Sequence, residues 1–235
     1  MPPTTIKSCS PSRLNDYESC PLKAKLKMID KIPEPERPLP PGKTEHANDR
    51  GTRIHGEIEA FVKGTGPMPI EARRFKDELE RMQKLFKEGK VSMEGEWGFD
   101  REWRVAEWFQ AWLRMKLDAL IFLNPRHAVV IDHKSGASFG NQIKHGEQTQ
   151  LYALATALKF PAIEFITTEL WYIDQDELVR NEFSREQALR FFKPFDKRLG
   201  AMTEATKFPA RPNIVSCKYC AYHPVRGTGH CTQGV

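Results

Sequence analysis

Apolar residues follow two different rhythms along this chain. In the first third they recur at helical spacing. Ser10 stands as an N-cap ahead of Leu14 and Tyr17, and Cys20-Pro21 interrupts or restarts that helix. Ile54, Ile58, Phe61 and Val62 share one face of a helix predicted over 47–63. Residues 33–41 between them carry five prolines, which suit an extended connector and neither a helix nor a central strand. Over 71–88, Phe75, Leu79, Met82, Leu85 and Phe86 align with charge elsewhere, the clearest amphipathic helix of the chain. From residue 94 the period shortens. Strands are predicted over 94–105 and 113–122, and 127–134 holds Ala128-Val129-Val130-Ile131, a run suited to a buried strand that Ser135-Gly136 closes. A helix over 141–159 follows, then a hairpin of 164–173 and 177–183 about a turn at 174–176. Ser184 caps a last helix running to about Thr206, with Glu186 in its first turn. Helices, three strands, helix, strand pair and helix make an α/β fold with a central mixed sheet. Residues 209–235 are rich in Cys, His, Gly and Pro and have no core of their own. The expected division is an N-terminal segment 1–46 carrying Cys20, a core 47–206 and a tail 207–235.

Composition narrows the class. With 235 residues, 40% hydrophobic and 29% charged, the chain folds as one generous domain or two small ones and is too apolar to be disordered. No apolar run has the length of a membrane span, and 1–7 lack the core of a secretory signal, so a cytoplasmic location is expected. A net charge of +5 is a mild bias towards anionic partners. Five cysteines without an export signal favour metal binding or free thiols over a disulfide framework.

The candidate chemistry lies in Met115-Lys116-Leu117-Asp118-Ala119 and Ile131-Asp132-His133-Lys134. Asp118 interrupts an apolar strand and Asp132 stands near the end of the next. Two buried carboxylates close together are costly unless a cation lies between them. Asp132 and Lys134 are two apart, hence on one face of a strand. Paired acids with a cation and a lysine are the equipment of metal-assisted hydrolysis, in which the cation polarises a phosphate oxygen and the lysine serves the attacking water. Hard oxygen donors favour Mg²⁺ or Mn²⁺. The competing reading is a structural Asp118–Lys134 ion pair with Asp132 capping a turn.

His55 on an early helix, Asp118 on one strand, Asp132-His133-Lys134 on the next and Gln148-Thr149-Gln150-Leu151-Tyr152 on the following helix stand in one order. That order resembles the PD-(D/E)XK nuclease superfamily, and within it the RecB- and AddB-like branch that includes CRISPR-associated and phage exonucleases with four cysteines. The resemblance implies a restriction-endonuclease-like core. It makes His55, Asp118, Asp132 and the backbone carbonyl of His133 the ligands of Mg²⁺ or Mn²⁺. Lys134 would serve the water, and Gln148 and Tyr152 would contact DNA or steady the lysine. Glu59 is a candidate partner of His55. Glu94 and Glu96 are candidate outer ligands, with Glu96 weighted slightly ahead.

Cys217-Lys218-Tyr219-Cys220 pairs two thiolates, with Cys231 further on and Cys20 at the other end of the chain. Four thiolates suit a [4Fe-4S] cluster or a structural Zn²⁺. The family resembled places a cluster on one N-terminal and three C-terminal cysteines. His223 and His230 keep zinc on three cysteines and a histidine open as the alternative. Cys9 is a bystander or a substitute for Cys20. Either metal would staple the tail to the first helix.

The function expected from the resemblance is a metal-dependent DNA exonuclease acting on single strands or DNA ends in recombination, repair or replication, of phage type. A recombinase, helicase or single-strand-binding partner goes with it. A catalytically silent DNA-binding subunit is the competing class. A small-molecule metallohydrolase is remote without His-Glu-x-x-His. Arg50, Arg53, Lys116, Lys144, Trp103, Trp108 and Trp112 are candidates for phosphate and base contacts, with at least two of the tryptophans expected in the core. No helix-turn-helix or zinc-finger reader is visible.

Overall fold

The computed structural model describes residues 4–36, 38–39, 41–136 and 140–235. Ser10 Oγ accepts from Arg13 N at 3.2 Å and starts α1 (Pro11–Ser19). Cys20, extended, ends α1 and at once becomes the N-cap of α2 (Pro21–Met28). The helix restarts because Pro21 has no N–H and holds the preceding residue out of the helical region. The proline-rich stretch, described apart from Arg37 and Pro40, has neither helix nor strand up to residue 39. α3 (Ala47–Lys63) ends on left-handed Gly64, φ 76°. The helix expected over 71–88 is shorter: a 3₁₀ turn, Arg73–Phe75, precedes α4 (Lys76–Lys87).

The strands are β1 (Val91–Phe99), β2 (Val105–Ala106), β3 (Leu113–Asn124) and β4 (His127–Lys134). The stretch expected as one strand over 94–105 starts three residues earlier and is broken by a turn. There the Asp100 carboxylate accepts from Glu102 N and Arg104 N. After α5 (Gln142–Lys159) come β5 (Phe165–Tyr172) and β6 (Glu177–Ser184), a hairpin as expected. The sheet order is β2-β1-β3-β4-β5-β6, antiparallel except where β4 and β5, joined by the α5 crossover, run parallel. The last helix divides into α6 (Arg185–Arg190), which opens on a Ser184–Gln187 capping box, and α7 (Phe192–Thr203). Pro194 explains the break, since a proline fits the first turn of a helix but not its interior. A short α8 (Ile214–Lys218) lies in the tail. The protein is therefore an α/β fold with a six-stranded mixed sheet between helices. No helix among the described residues is long and apolar enough to cross a membrane.

One face of the sheet, with Leu117, Leu120 and Val130, packs under Leu14 of α1, Leu151 and Leu154 of α5, and Phe195 and Leu199 of α7. The other, with Ala119, Ile121, Val129 and Ile131, packs under Ile54 and Ile58 of α3 and Leu79 and Met82 of α4. The tail forms a third small cluster of Tyr222 and Cys231 on Leu26 of α2, and Tyr222 Oη donates to Ile32 O at 3.0 Å. The alternation in β1 and β3 reverses midway. Met115 and Leu117 share the α5 face, yet Ala119 and Ile121 share the α3 face; Met93 and Trp97 are likewise split. The reversal falls at Glu94, a non-glycine residue at φ 50°, and at Asp118 beside it. Asp118 therefore lies where the two faces exchange.

Candidate active site

The β3–β4 ladder extends to Ala119↔Ile131. One residue further along, Asp118 Oδ2 accepts from His133 N at 2.5 Å, so a side chain takes the place of a backbone rung. Asp118 Oδ1 is 2.9 Å from His55 Nδ1 on α3. A Cβ at Gly51 would stand 3.0 Å from Ser135 Oγ, so the missing side chain lets α3 lie close over the end of β4. The His133 ring projects to this same side, opposite to Asp132, as successive strand residues must. It is 2% exposed, edge-on to His55 at 5.7 Å and tilted on Trp171 at 5.2 Å. Among the described residues neither of its nitrogens has a hydrogen-bond partner, and Asp118 Oδ2 lies 3.7 Å from Nδ1. Ligand atoms of His55, Asp118 and His133 all lie within 4.8 Å of one another.

On the α5 side Asp132 is enclosed by a second network. Lys134 Nζ lies 2.6 Å from Asp132 Oδ2. Gln148 Nε2 donates to Asp132 Oδ1 at 3.0 Å, and Gln148 Oε1 accepts from Lys134 Nζ at 2.9 Å. Tyr152 Oη is 2.9 Å from Asp132 Oδ1 and from Lys116 O, and accepts from Gln148 Nε2 at 2.6 Å. The i,i+2 spacing on β4 and the i,i+4 spacing on α5 converge on one carboxylate. Asp132 lies outside the compact His55–Asp118–His133 group, held by these three neighbours.

Electrostatics separate the two acids. Burial alone would raise Asp118, but the hydrogen bond from His55 and the charges of His133 and His55 hold it below the ordinary carboxylate range. Burial pushes Asp132 up, against the pull of Lys134, and the nearby Asp118 charge adds to the rise. Burial takes His133 down to about 4. Glu94 is raised by burial, then by Asp118 and Glu59. Two imidazoles, one of them buried with no partner for either nitrogen, beside an ionised carboxylate form a donor set that fits a divalent cation.

The remaining candidates divide. Glu94, turned inward by its left-handed backbone, feels Asp118 and His55, whereas Glu96 faces out and pairs with Lys116 at 2.8 Å. Of the two candidate outer ligands the fold thus brings Glu94, and not the slightly favoured Glu96, near Asp118. Glu59 is taken by Lys63. Arg50 is clamped by both Asp174 oxygens and Ser135 O, and Arg53 by Glu45, Glu57 and Glu71, so each is engaged by several acceptors at once. Trp103 and Trp112 are core, packed edge-to-face at 5.8 Å, and Lys144 is exposed. A pair not foreseen from sequence is His145 Nδ1 with Tyr172 Oη at 2.7 Å. Burial and then the charges of Lys134 and Lys144 take His145 down to about 4. Its place one helical turn before Gln148 is the signal that would have found it.

Cys20, Cys217, Cys220 and Cys231 line one cavity of about 310 Å³ between α2 and the tail. Cys20 Sγ accepts from Arg211 N at 3.4 Å. Burial first, with Cys231 and Cys20 among the lesser causes, pushes the Cys220 thiol up. His223 Nδ1 accepts from Val225 N and Arg226 N, and its Nε2 is 2.8 Å from Arg226 Nη2, so both nitrogens are engaged. Among the described residues no three of the sulfurs lie within 4.8 Å of one another. Tetrahedral zinc at its usual bond length would bring sulfurs to roughly 3.8 Å. His223, with both nitrogens engaged, is not free as a fourth ligand beside the cysteines. Cys9 is elsewhere: its Sγ donates to Trp112 O at 3.1 Å, its backbone bridges to Leu113, and burial pushes its thiol up to about 12.

A mixed sheet with one acid midway along β3, an acid and a lysine at the end of the adjacent β4, and a flanking helix bearing Gln and Tyr one turn apart defines a restriction-endonuclease-like class. The model of the PD-(D/E)XK nuclease superfamily matches residues 8–121 and 103–225, and the chain belongs to that superfamily. No curated protein matches the chain. Among solved structures, SSO0001 is 16% identical with TM-score 0.46, over 97% of this chain and 88% of its own. A protein from Eubacterium rectale is 13% identical with TM-score 0.46, over 88% and 85%. The alkaline exonuclease LHK-Exo from Laribacter hongkongensis is 14% identical with TM-score 0.34, over 86% and 88%.

Proposed function

We propose that this protein is a metal-dependent deoxyribonuclease of the RecB/AddB-like branch, hydrolysing phosphodiester bonds as an exonuclease on single strands or DNA ends. The observation that carries the reading is the convergence of the middle of β3 with the end of β4. The buried Asp132–Lys134 pair, locked by Gln148 and Tyr152, adjoins the His55–Asp118–His133 group with its two unpartnered imidazole nitrogens. Those three residues would hold the cation, with Asp132 the adjoining carboxylate, tied on the α5 side by Gln148 and Tyr152. When bound, the cation supplies Lewis-acid activation of a phosphate oxygen and a water of lowered pKa. Ring nitrogens of His55 and His133 beside the carboxylates make the donor set softer than an all-oxygen one, which favours Mn²⁺ over Mg²⁺. Lys134 is held between Asp132 Oδ2 and Gln148 Oε1, and its remaining N–H orients the attacking water. Tyr152 and Gln148 keep Asp132 from turning away. In the same reading the four cysteines carry a [4Fe-4S] cluster that joins tail to N-terminus, and such an activity serves end processing in recombination, repair or replication.

The test is incubation with labelled single- and double-stranded DNA in Mn²⁺, Mg²⁺ or EDTA. Digestion with Mn²⁺ that Asp132→Ala lowers by roughly 10³-fold is expected; digestion that survives this substitution sinks the assignment. Absorbance near 400 nm in the purified protein separates cluster from zinc.

A further inference from the structure

An open groove of about 390 Å³ runs along the α5 side of the sheet to the back of the Asp132 network. Its end wall is Gln148 and Tyr152, the two side chains that bond Asp132. One bank is Arg13 in the first turn of α1; the other is Trp108 in the turn after β2, with Arg114 and Lys116 of β3. The Arg114 guanidinium lies 5.5 Å and Lys116 Nζ 5.7 Å from the centre of the Trp108 ring. Of the five tryptophans, four are buried and Trp108 is the half-exposed one. Phe109 beside it is 88% exposed. Arg114 Nη2 donates to Phe109 O at 2.9 Å and so fixes this turn, while Arg114 Nε is buried without a partner. Among the described residues no Asp or Glu lines the groove, against three cations. Among the described residues the one ion pair of Lys116 is with Glu96, at an exposed site where a single pair is weak and yields to a phosphate.

A cationic channel with a flat aromatic plate suits a chain of phosphates whose bases offer their faces. A duplex hides those faces inside the stack, and a small anion has no use for the plate. Resting on the nuclease reading above, we infer that this groove is the track by which single-stranded DNA enters the site, with a base stacked on Trp108 and backbone phosphates on Arg114, Lys116 and Arg13. Strand choice then resides in the turn between β2 and β3, away from the residues that hold the cation.

The experiment titrates fluorescein-labelled dT15 into the full chain carrying Lys134→Ala, so that the probe survives, at several salt concentrations. Trp108→Leu is expected to weaken binding about tenfold or more, and Trp108→Phe to restore most of it. Lys116→Gln is expected to flatten the slope of log K against log salt by about 0.7, one phosphate contact on a single strand. A 15-base-pair duplex binds more weakly than dT15. Equal affinity of Trp108→Leu and its background, or preference for the duplex, overturns the inference. Should Trp108→Leu melt early, Lys116→Gln and Arg13→Gln, both lining the groove, carry the same comparison. Cleavage is scored separately with Lys134 intact. Trp108-dependent binding without cleavage sinks the nuclease reading and leaves the groove, and cleavage with Trp108-independent binding does the reverse.

Discussion

His133 is the residue on which the site's chemistry turns. A fully buried imidazole with neither nitrogen paired costs stability, since each lost water contact is worth about 1–3 kcal/mol. His133→Phe is therefore expected to leave the metal-free protein as stable or more stable in urea, while weakening Mn²⁺ binding at least tenfold by calorimetry. Retained Mn²⁺ affinity would remove the ring from the ligand set. The same residue sets a pH dependence. In the fold His133 holds off its proton down to about 4, as does His145, whereas an unfolded imidazole takes one near 6.5. The unfolded state then binds more protons as pH falls below 6.5. The contribution is present at neutral pH and lost between 6.5 and 4, at most about 3 kcal/mol for His133. His55, Asp132 and Glu94, all raised, act in the opposite sense, so the reading is a difference: in EDTA, on going from pH 7 to pH 5, the urea midpoint of the parent should drop relative to that of His133→Phe.

At the scale of elements, the reversal within β1 and β3 decides which side chains meet. Its cause is one left-handed residue in a strand, Glu94, whose backbone costs about 1–2 kcal/mol in any residue with a Cβ. Glycine takes that conformation freely but loses more entropy on folding. Glu94→Gly should leave stability unchanged or raise it by about 1 kcal/mol, while β-branched Glu94→Val should lower it by about 1–2 kcal/mol, both read from denaturant curves. Equal stability of the two variants would mean that the strand relaxes and stores no strain there. The reversal brings Asp118 to His55 on α3 while Asp132, on the neighbouring strand, faces Tyr152 on α5. The two carboxylates thus sit in different surroundings, one lowered and one raised.

Across the whole molecule, the two ends of the chain close on each other beside the sheet. The tail rests on α2 through a small cluster and a few backbone bonds, among them Leu22 N to Pro209 O at 3.3 Å, which is little apolar burial for nearly thirty residues. Cys217→Ser is expected to abolish absorbance near 400 nm and to open the tail to limited proteolysis, with the sheet and its helices left folded; a tail as resistant as in the parent protein would show that no thiol-bound group holds it. Sequence alone determined what short range determines. The N-caps at Ser10 and Ser184, the hairpin about 174–176, the shared face of Asp132 and Lys134, and the turn between Gln148 and Tyr152 all follow from the pitch of a helix or the pleat of a strand. The order of those elements was enough for an α/β mixed sheet. Tertiary structure alone decided which of five tryptophans stays at the surface, that Arg50 and Arg53 are already claimed by carboxylates, and that Glu94 rather than Glu96 turns inward. It also turned the His133 ring towards Asp118 and His55. Burial and pairing of a side chain depend on partners far away in sequence, and a left-handed glutamate leaves no mark in the string of letters.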